Sequence, residues 1–176
     1  ILSKTAAEID SHFNKFRISE ALMAVYKLFW DEFSSWYLET IKPEYQKPVD
    51  RKTYDATITF FDKLLRLIHP FMPFITEEIW QLLVERKDGE SIMISRLPAI
   101  RKYNRELTIR FELIKECVSA LRTVRSEKRI PNKKRLTLLI RADKKEFSSE
   151  FLPVLSRLCN LSDIKFVTKK QVGAVS

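Results

Sequence analysis

The sequence contains very little glycine. Gly89 and Gly173 are its only two glycines among 176 residues, and neither lies in a glycine-rich loop. Such loops let backbone amides approach a phosphate closely in P-loop and Rossmann nucleotide sites. We therefore expect neither kind of nucleotide site in this chain, and no cofactor bound to it.

Cysteine and long apolar runs are also scarce. Cys117 and Cys159 lie far apart among apolar residues and lack metal-ligand spacing, which favours small core residues in a reducing compartment. No apolar run approaches the about 20 residues that span a bilayer, and no signal peptide precedes the first helix. We expect a cytoplasmic protein with no membrane partner. Because the chain opens on Ile1 rather than Met, we also expect it to be a piece of a longer protein.

Positive charge is concentrated in the C-terminal part of the chain. Residues 1–98 carry a formal net charge of −2, whereas residues 99–176 carry +11, which together give the +9 of the whole sequence. This asymmetry favours a polyanionic partner, because Lys and Arg that neutralise phosphates release counterions. A solvated surface that keeps the protein soluble is the alternative interpretation.

One amphipathic stretch, residues 18–42, is expected to be the central helix of a bundle. Ser19 is the predicted N-cap, and Pro43 is expected to end the helix. Apolar residues recur at spacings of three and four, which is the pattern of one helix face. This stripe consists of Leu22, Tyr26, Phe29, Phe33, Tyr37 and Ile41.

Further helices are predicted on both sides of the central one. Similar apolar spacing predicts helices over 2–15, from about residue 50 to 68, from Pro73 onward and over 103–128. Asp50 or Thr53 is the predicted cap of the second of these helices, and Leu82 is expected to face inward in the third. A short β-like segment is predicted at 91–94.

From Leu136 the pattern changes to strand, helix, strand, which suggests a parallel crossover unit. Pro153 is expected to kink or split the helix of this unit. That helix is predicted from the spacing of Phe147, Phe151, Leu155, Leu158 and Leu161. We therefore expect a mainly α protein, with an antiparallel helix bundle over 1–130 and a small β-α-β appendage over 131–176.

No catalytic or metal site is expected. His69, Glu77 and Glu78 are candidate metal ligands by residue type, but their spacing matches no common ligand pattern. Adjacent glutamates on a helix point about 100° apart, which is poor geometry for acid–base chemistry. A helix-start function for the two glutamates explains them better.

Three segments resemble one protein family. Trp30 to Pro43 (WDEFSSWYLETIKP) closely resembles the signature helix of the anticodon-binding bundle in valyl-tRNA synthetases, which are class I aminoacyl-tRNA synthetases. His69 to Trp80 resembles the second signature of that bundle, shared more loosely with the isoleucyl, leucyl and methionyl enzymes. Leu121 to Glu127 (LRTVRSE), followed by Pro131, is similar to the next block. Leu97 departs from the family pattern, where tryptophan is expected.

The resemblance implies recognition of RNA rather than chemistry in this segment. The whole enzyme would attach valine to its tRNA using ATP bound in a catalytic domain outside this chain. This bundle would hold the anticodon stem-loop, and its partners would be the valine-accepting tRNA and the remaining domains of a monomeric protein. Unstacked bases are recognised by stacking, apolar contacts and edge hydrogen bonds, whereas phosphate contacts position the backbone.

Residues are assigned to these roles by the same resemblance. A second basis is the group of basic side chains near the end of the predicted 103–128 helix and just after it. Leu38 is expected to pack against a base, with Phe33 or Trp36 framing the pocket. Core packing is an equally good interpretation for these two aromatic residues. The residues expected to contact the RNA backbone are Lys42, Arg122, Arg125, Arg129, Lys133 and Lys134.

Two alternatives stay open at the level of sequence. The same module could belong to an isoleucyl, leucyl or methionyl enzyme. The chain could also be a helical protein-interaction domain without RNA binding, in which case the basic C-terminal part would only serve solubility.

Overall fold

The computed structural model describes residues 1–43, 46–99, 102–141 and 149–169. The chain divides into two compact units, unit 1 over residues 1–103 and unit 2 over residues 104–176. Helices dominate both, and the two described strands pair in one sheet, so the predicted mainly α fold is confirmed. The 103–128 helix, which the sequence groups with the bundle, lies in unit 2. The functional boundary at residue 130 stays a prediction.

Unit 1 is a set of helices joined by short connections. Their bounds are α1 Leu2–Asn14, α2 Ile18–Lys27, a π-helical segment Leu28–Tyr37, α3 Leu38–Ile41, α4 Arg51–Ile68, α5 Pro73–Leu83 and a 3₁₀ turn Ile92–Ile94. Asp50 caps α4, because its carboxylate accepts the Thr53 N–H at 2.9 Å, as the sequence suggests. The predicted cap of the central helix is wrong: Arg17 is the N-cap residue, and Ser19 lies inside the first turn of α2.

The core of unit 1 differs from the predicted stripe at its N-terminal half. Leu22 and Tyr26 are 45% and 53% exposed, so the expectation that they line the core is wrong. The buried face of α2 instead carries small residues, which let helix backbones approach closely, while Phe33 is buried as predicted. The buried residues of this cluster are Ala6, Ile9, Ala21, Ala24, Val25, Leu28, Phe33, Leu64 and Leu67.

The central helix is continuous but changes its winding at Leu28. Over Leu28–Tyr37 it is a π-helix, with one more residue in each hydrogen-bonded turn than an α-helix. The hydroxyls of Ser34 and Ser35 each donate to the carbonyl five residues earlier, Phe29 O and Trp30 O, at 2.9 Å. These bonds follow the π spacing. The extra residue per turn moves the inward face from the Val25 and Leu28 side to Phe33.

A second cluster joins α4 to α5. Trp80 is 4% exposed, and its indole N–H donates to Asp62 Oδ1 at 2.7 Å. The Arg86 guanidinium lies 3.5 Å from the Trp80 ring centroid, and Arg66 pairs with Asp62 at 2.9 Å. The buried tryptophan therefore has its polar atom satisfied and its ring covered. The sequence-based expectation that Leu82 lies inward is wrong, since Leu82 is 81% exposed.

The segment before Pro98 is not β-like. Ile92–Ile94 forms a 3₁₀ turn, and Ser91 accepts the Met93 N–H at 3.1 Å. Glu77 of α5 accepts both the Ser91 hydroxyl at 2.6 Å and the Ile92 N–H at 3.1 Å. The side chains of Glu77 and Ser91 thus accept hydrogen bonds from backbone N–H groups that would otherwise need a neighbouring strand.

Unit 2 contains α6 Arg105–Glu127, β1 Leu136–Ile140, a 3₁₀ turn Ser149–Phe151, α7 Leu152–Leu158 and β2 Leu161–Phe166. The two strands pair in parallel, as predicted. Pro153 lies in the first turn of α7, where a missing N–H costs nothing, so it neither kinks nor splits the helix. Leu161 begins β2 rather than continuing the helix, and Phe147 of the predicted helix lies outside the described residues. The buried core of unit 2 consists of Ile114, Val118, Leu155, Cys159 and Leu161.

Three helices end on residues in the left-handed conformation, and none of these residues is glycine. Phe16, Arg129 and Asn160 follow α1, α6 and α7 with φ of 57°, 52° and 49°. Glycine is the usual residue there, and its near absence leaves larger side chains to adopt a less favourable backbone. Within the described part of the chain, no helix is long and apolar enough to cross a membrane.

Candidate nucleic-acid interface

Two aromatic residues of the signature helix, Phe33 and Tyr37, pack in the core of unit 1. Phe33 is 5% exposed. Its ring stacks on Phe60 and Phe61 of α4, with centroids 5.2 and 5.6 Å apart, and on Tyr37 at 5.6 Å. Tyr37 also hydrogen-bonds Thr57 through its hydroxyl at 3.0 Å. Phe33 therefore supports the fold and offers no free ring face to a base.

Leu38, Trp36 and Lys42 lie at the C-terminal end of the same helix. Leu38 and Trp36 are partly buried, and Leu38 packs against the main core of unit 1. Lys42 is exposed and forms an ion pair with Glu39, one turn earlier. Because Leu38 is only partly covered, it can still present an apolar surface to a ligand, but part of it is used in packing.

Arg125 does not lie on the exposed basic face that the sequence predicts. It is 5% exposed, and its guanidinium donates to four backbone carbonyls within unit 2. The acceptors are Pro131 O at 3.1 Å, Lys134 O at 3.0 Å, Cys159 O at 2.8 Å and Asn160 O at 3.4 Å. These bonds join the end of α6 to the segment before β1 and to the end of α7. Arg125 is therefore a structural cation, and a direct phosphate contact conflicts with its burial.

The other predicted cations of unit 2 are accessible. Arg122, Arg129, Lys133 and Lys134 are all exposed. Arg122, Arg125 and Arg129 all line one cleft of about 640 Å³ within unit 2. The remaining lining residues are Leu121, Ser126, Ile130, Asn132, Leu158, Cys159 and Asn160. The structure thus brings three of the predicted arginines together.

Cys159 lies in this cleft as a neutral thiol. Burial raises the pKa of Cys159, and the nearby Arg122 and Arg125 guanidiniums only partly oppose that rise. A raised pKa keeps the thiol protonated at neutral pH, which is the state of an unreactive core cysteine. Among the described residues, no group of three or more His, Cys, Asp or Glu side chains is placed to hold a metal ion.

Glu77, one of the candidate metal ligands, has a structural function. Glu77 accepts hydrogen bonds from Ser91, Gln81 and the Ile92 N–H, and these lower the pKa of its carboxyl, the Ser91 hydroxyl most. His69 Nδ1 lies 2.7 Å from the Thr76 hydroxyl. Glu77 therefore holds the 3₁₀ turn against α5.

Comparison with known proteins identifies the family. Residues 1–140 match the family described as the anticodon-binding domain of tRNA ligase. The chain belongs to this family. All nine of the predicted RNA-binding residues lie inside the matched region of the anticodon-binding domain.

Several longer relatives of this chain are named valine–tRNA ligase. The chain is 55% identical over 175 residues to valine–tRNA ligase of Parabacteroides distasonis and 51% identical over 176 residues to that of Phocaeicola vulgatus. It is 33% identical over 172 residues to valine–tRNA ligase of Enterococcus faecalis. These alignments cover 99%, 100% and 93% of this chain. The chain spans about 20% of the length of these relatives.

Sequence reasoning missed two features of this domain. The π segment could have been suspected from Ser34 and Ser35, since adjacent hydroxyl residues in a helix can bond to earlier carbonyls. The burial of Arg125 has no local signature, because its acceptors come from residues 131–160 and are brought to it only by the fold.

Proposed function

We propose that this chain is the anticodon-binding domain of a valine–tRNA ligase and holds the anticodon stem-loop of a valine-accepting tRNA. The observation that carries the proposal is the family match over 1–140, together with 55% identity over nearly the whole chain to a relative named valine–tRNA ligase. The reaction itself, which joins valine to tRNA with ATP, would take place in the rest of the enzyme. We further infer a monomeric, cytoplasmic protein.

Each unit would contribute differently to RNA binding. The end of the central helix, with Leu38, Trp36 and Lys42, is proposed to meet anticodon bases and a neighbouring phosphate. In unit 2, Arg122, Arg129, Lys133 and Lys134 are proposed to contact the RNA backbone, which adds affinity but little sequence information. Arg125 would act only by holding this basic surface in shape, and Phe33 only by packing.

Binding of the 176-residue chain to two tRNA transcripts tests the proposal. Transcripts of valine-accepting and isoleucine-accepting tRNA are titrated at several salt concentrations. We expect tighter binding to the valine transcript, with affinity falling steeply as salt rises. In Leu38→Ala the preference should shrink. Leu22→Ala is the matched control, because it makes the same change on an exposed residue of the same continuous helix.

Three results would count against the proposal. Equal binding of both transcripts, unaffected by Leu38→Ala, would leave a basic surface without anticodon recognition. Tighter binding of the isoleucine transcript would favour a sibling enzyme. Absence of binding at low salt would favour the protein-interaction alternative. That alternative has one observation in its support, the exposed apolar side chains of Leu22, Met23 and Tyr26 on α2.

A further inference from the structure

The cleft at the end of α6 has the size of a ligand site. Its volume of about 640 Å³ lies within the usual range for pockets that take small molecules. It lies wholly within unit 2, between the C-terminal ends of α6 and α7 and the segment that leads from α6 to β1. None of the side chains that line it is acidic.

The charge of this cleft favours an anion. The donors of Arg125 are occupied by backbone carbonyls, so they hold the cleft together. Arg122 and Arg129 are exposed, and neither forms an ion pair with any other residue in the described ranges. Two of the arginines that line the cleft are therefore available to a ligand. Guanidinium groups bind phosphate through paired N–H donors.

Arg129 has a left-handed backbone conformation that is held by hydrogen bonds at the end of α6. Arg129 N–H bonds Ser126 O at 3.1 Å, and Ile130 N–H bonds Arg125 O at 2.8 Å. This is the hydrogen-bond pattern of a Schellman cap, whose left-handed position glycine adopts without cost. Arg129 occupies that position with φ of 52°. The cap thus fixes the backbone from which the Arg129 side chain extends at the cleft.

The rest of the lining suits a nucleobase. Leu121, Ile130 and Leu158 supply partly buried apolar surface. Ser126 and Asn132 add polar groups, and Asn160 is held by a bond from its amide to Asn132 O at 2.9 Å. Unpaired bases are bound in proteins by apolar contact together with hydrogen bonds to their edges.

We infer that this cleft binds a single unpaired nucleotide of the bound RNA, with its phosphate between Arg122 and Arg129 and its base against Leu121, Ile130 and Leu158. The inference rests on the proposed function, since the RNA is the tRNA named there. It adds a second contact in unit 2, distinct from the end of the central helix. A free mononucleotide has the same chemistry, so the test must separate the two sources.

Charge-removing variants measure the phosphate contact. Affinity of the 176-residue chain for the valine-accepting transcript is compared among wild type, Arg122→Gln and Arg129→Gly. Each variant is expected to bind about 5- to 20-fold more weakly, with the slope of log K against log salt reduced by about 1. Arg105→Gln is the matched control, because it removes the same charge from another exposed arginine of α6. Arg105 lies about 26 Å from Arg122 along the helix axis, so this variant should change the affinity little.

A variant whose side chain fills the cleft tests whether RNA enters the cleft or only contacts a basic surface around it. Ser126→Trp places an indole at the cleft without changing the charge, and it should weaken tRNA binding by about as much as Arg122→Gln if a base enters there. Arg129→Gly retains the left-handed cap, so its thermal midpoint should equal or exceed that of wild type while its affinity falls. Circular dichroism of every variant checks that the fold is retained.

Several outcomes would overturn the inference. If Ser126→Trp bound the transcript as tightly as wild type while the arginine variants bound it more weakly, the arginines would act only as a basic surface and no base would enter the cleft. If wild type binds the transcript but every cleft variant behaves like Arg105→Gln, the cleft inference fails and the proposed function stands. If UMP binds wild type and Ser126→Trp abolishes that binding but not tRNA binding, the cleft serves a free nucleotide instead. If wild type does not bind the transcript at low salt, both proposals fail.

Discussion

Arg125 carries a buried charge that has no carboxylate partner among the residues that the structure describes. Its guanidinium is surrounded by carbonyl oxygens, and two of them, Cys159 O and Asn160 O, lie at the C-terminal end of α7. Unpaired carbonyls at a helix C-terminus carry partial negative charge, which stabilises a cation. The arginine satisfies these carbonyls, and they in turn compensate its charge.

Replacing Arg125 is predicted to destabilise unit 2. Arg125→Met keeps most of the side-chain volume but leaves four backbone carbonyls without their donor, which should lower the free energy of unfolding by about 2–4 kcal/mol. Denaturant unfolding followed by circular dichroism measures the change. Arg122→Met is the control, because Arg122 is exposed, and it should cost less than about 0.5 kcal/mol. Equal effects of the two variants would contradict the structural function of Arg125.

The hydrogen bonds of Glu77 should make the stability of unit 1 depend on pH. Its hydrogen bonds, that from the Ser91 hydroxyl first, hold the pKa of the folded carboxyl below its ordinary value of 4.5. A lowered folded pKa contributes stability that is fully present above the ordinary pKa and is lost as pH falls through the folded pKa. The thermal midpoint of wild type should therefore fall on acidification below about pH 4.5, and that of Glu77→Gln should fall less.

Glu78→Gln is the control for this pH profile. Glu78 is the exposed neighbour of Glu77 on α5, and its substitution should leave the acid slope of the midpoint unchanged. If Glu77→Gln and Glu78→Gln gave the same profile as wild type, the bonds from Ser91 and Ile92 would not be the source of the acid sensitivity.

At the scale of elements, the π segment determines which residues of the central helix are buried. Upstream of it the core face consists of Ala21, Val25 and Leu28, and within it Phe33 meets two rings of α4. A simple 3.6-residue repeat cannot describe both halves. π-helical turns are frequent at functional sites, and here the segment directly precedes Leu38.

Truncation of Phe33 is predicted to destabilise unit 1 strongly. Phe33→Ala removes a buried ring that stacks on four others and should lower the free energy of unfolding by about 3–5 kcal/mol. Tyr26→Ala, on the exposed side of α2, should cost less than about 1 kcal/mol. Urea denaturation measures both variants. Similar losses for the two residues would support the stripe inferred from sequence and contradict the observed core.

Elements with purely local determinants could be predicted from sequence. The Asp50 cap, α4 and the parallel pairing of β1 with β2 follow from cap chemistry, apolar spacing and the strand, helix, strand order. The 3₁₀ turn at Ile92 could not be predicted, because Glu77, 15 residues earlier, satisfies its backbone. For the candidate site, the cluster of Arg122, Arg125 and Arg129 was predictable. Which of them is buried depends on residues brought together by the fold.

At the scale of the whole molecule, the two units differ in net charge. Residues 1–103 carry equal numbers of acidic and basic residues, so unit 1 is formally neutral, whereas unit 2 carries the entire net charge of +9. Unit 2 should therefore dominate the salt dependence of RNA binding, while recognition of bases at the end of the central helix should depend little on salt. Affinity and specificity would then have separate sources in one chain.

An anticodon exchange tests the central claim most directly. The anticodon loop of the valine-accepting transcript is moved into the isoleucine-accepting transcript, and the dissociation constants of the 176-residue chain for the parent and hybrid are compared at one salt concentration. We expect the hybrid to bind about as tightly as the valine transcript, since the backbone charge is unchanged and only the loop bases differ. If the hybrid instead bound like its isoleucine parent, while the valine transcript bound more tightly, recognition would lie outside the anticodon loop and the proposed anticodon binding would be wrong.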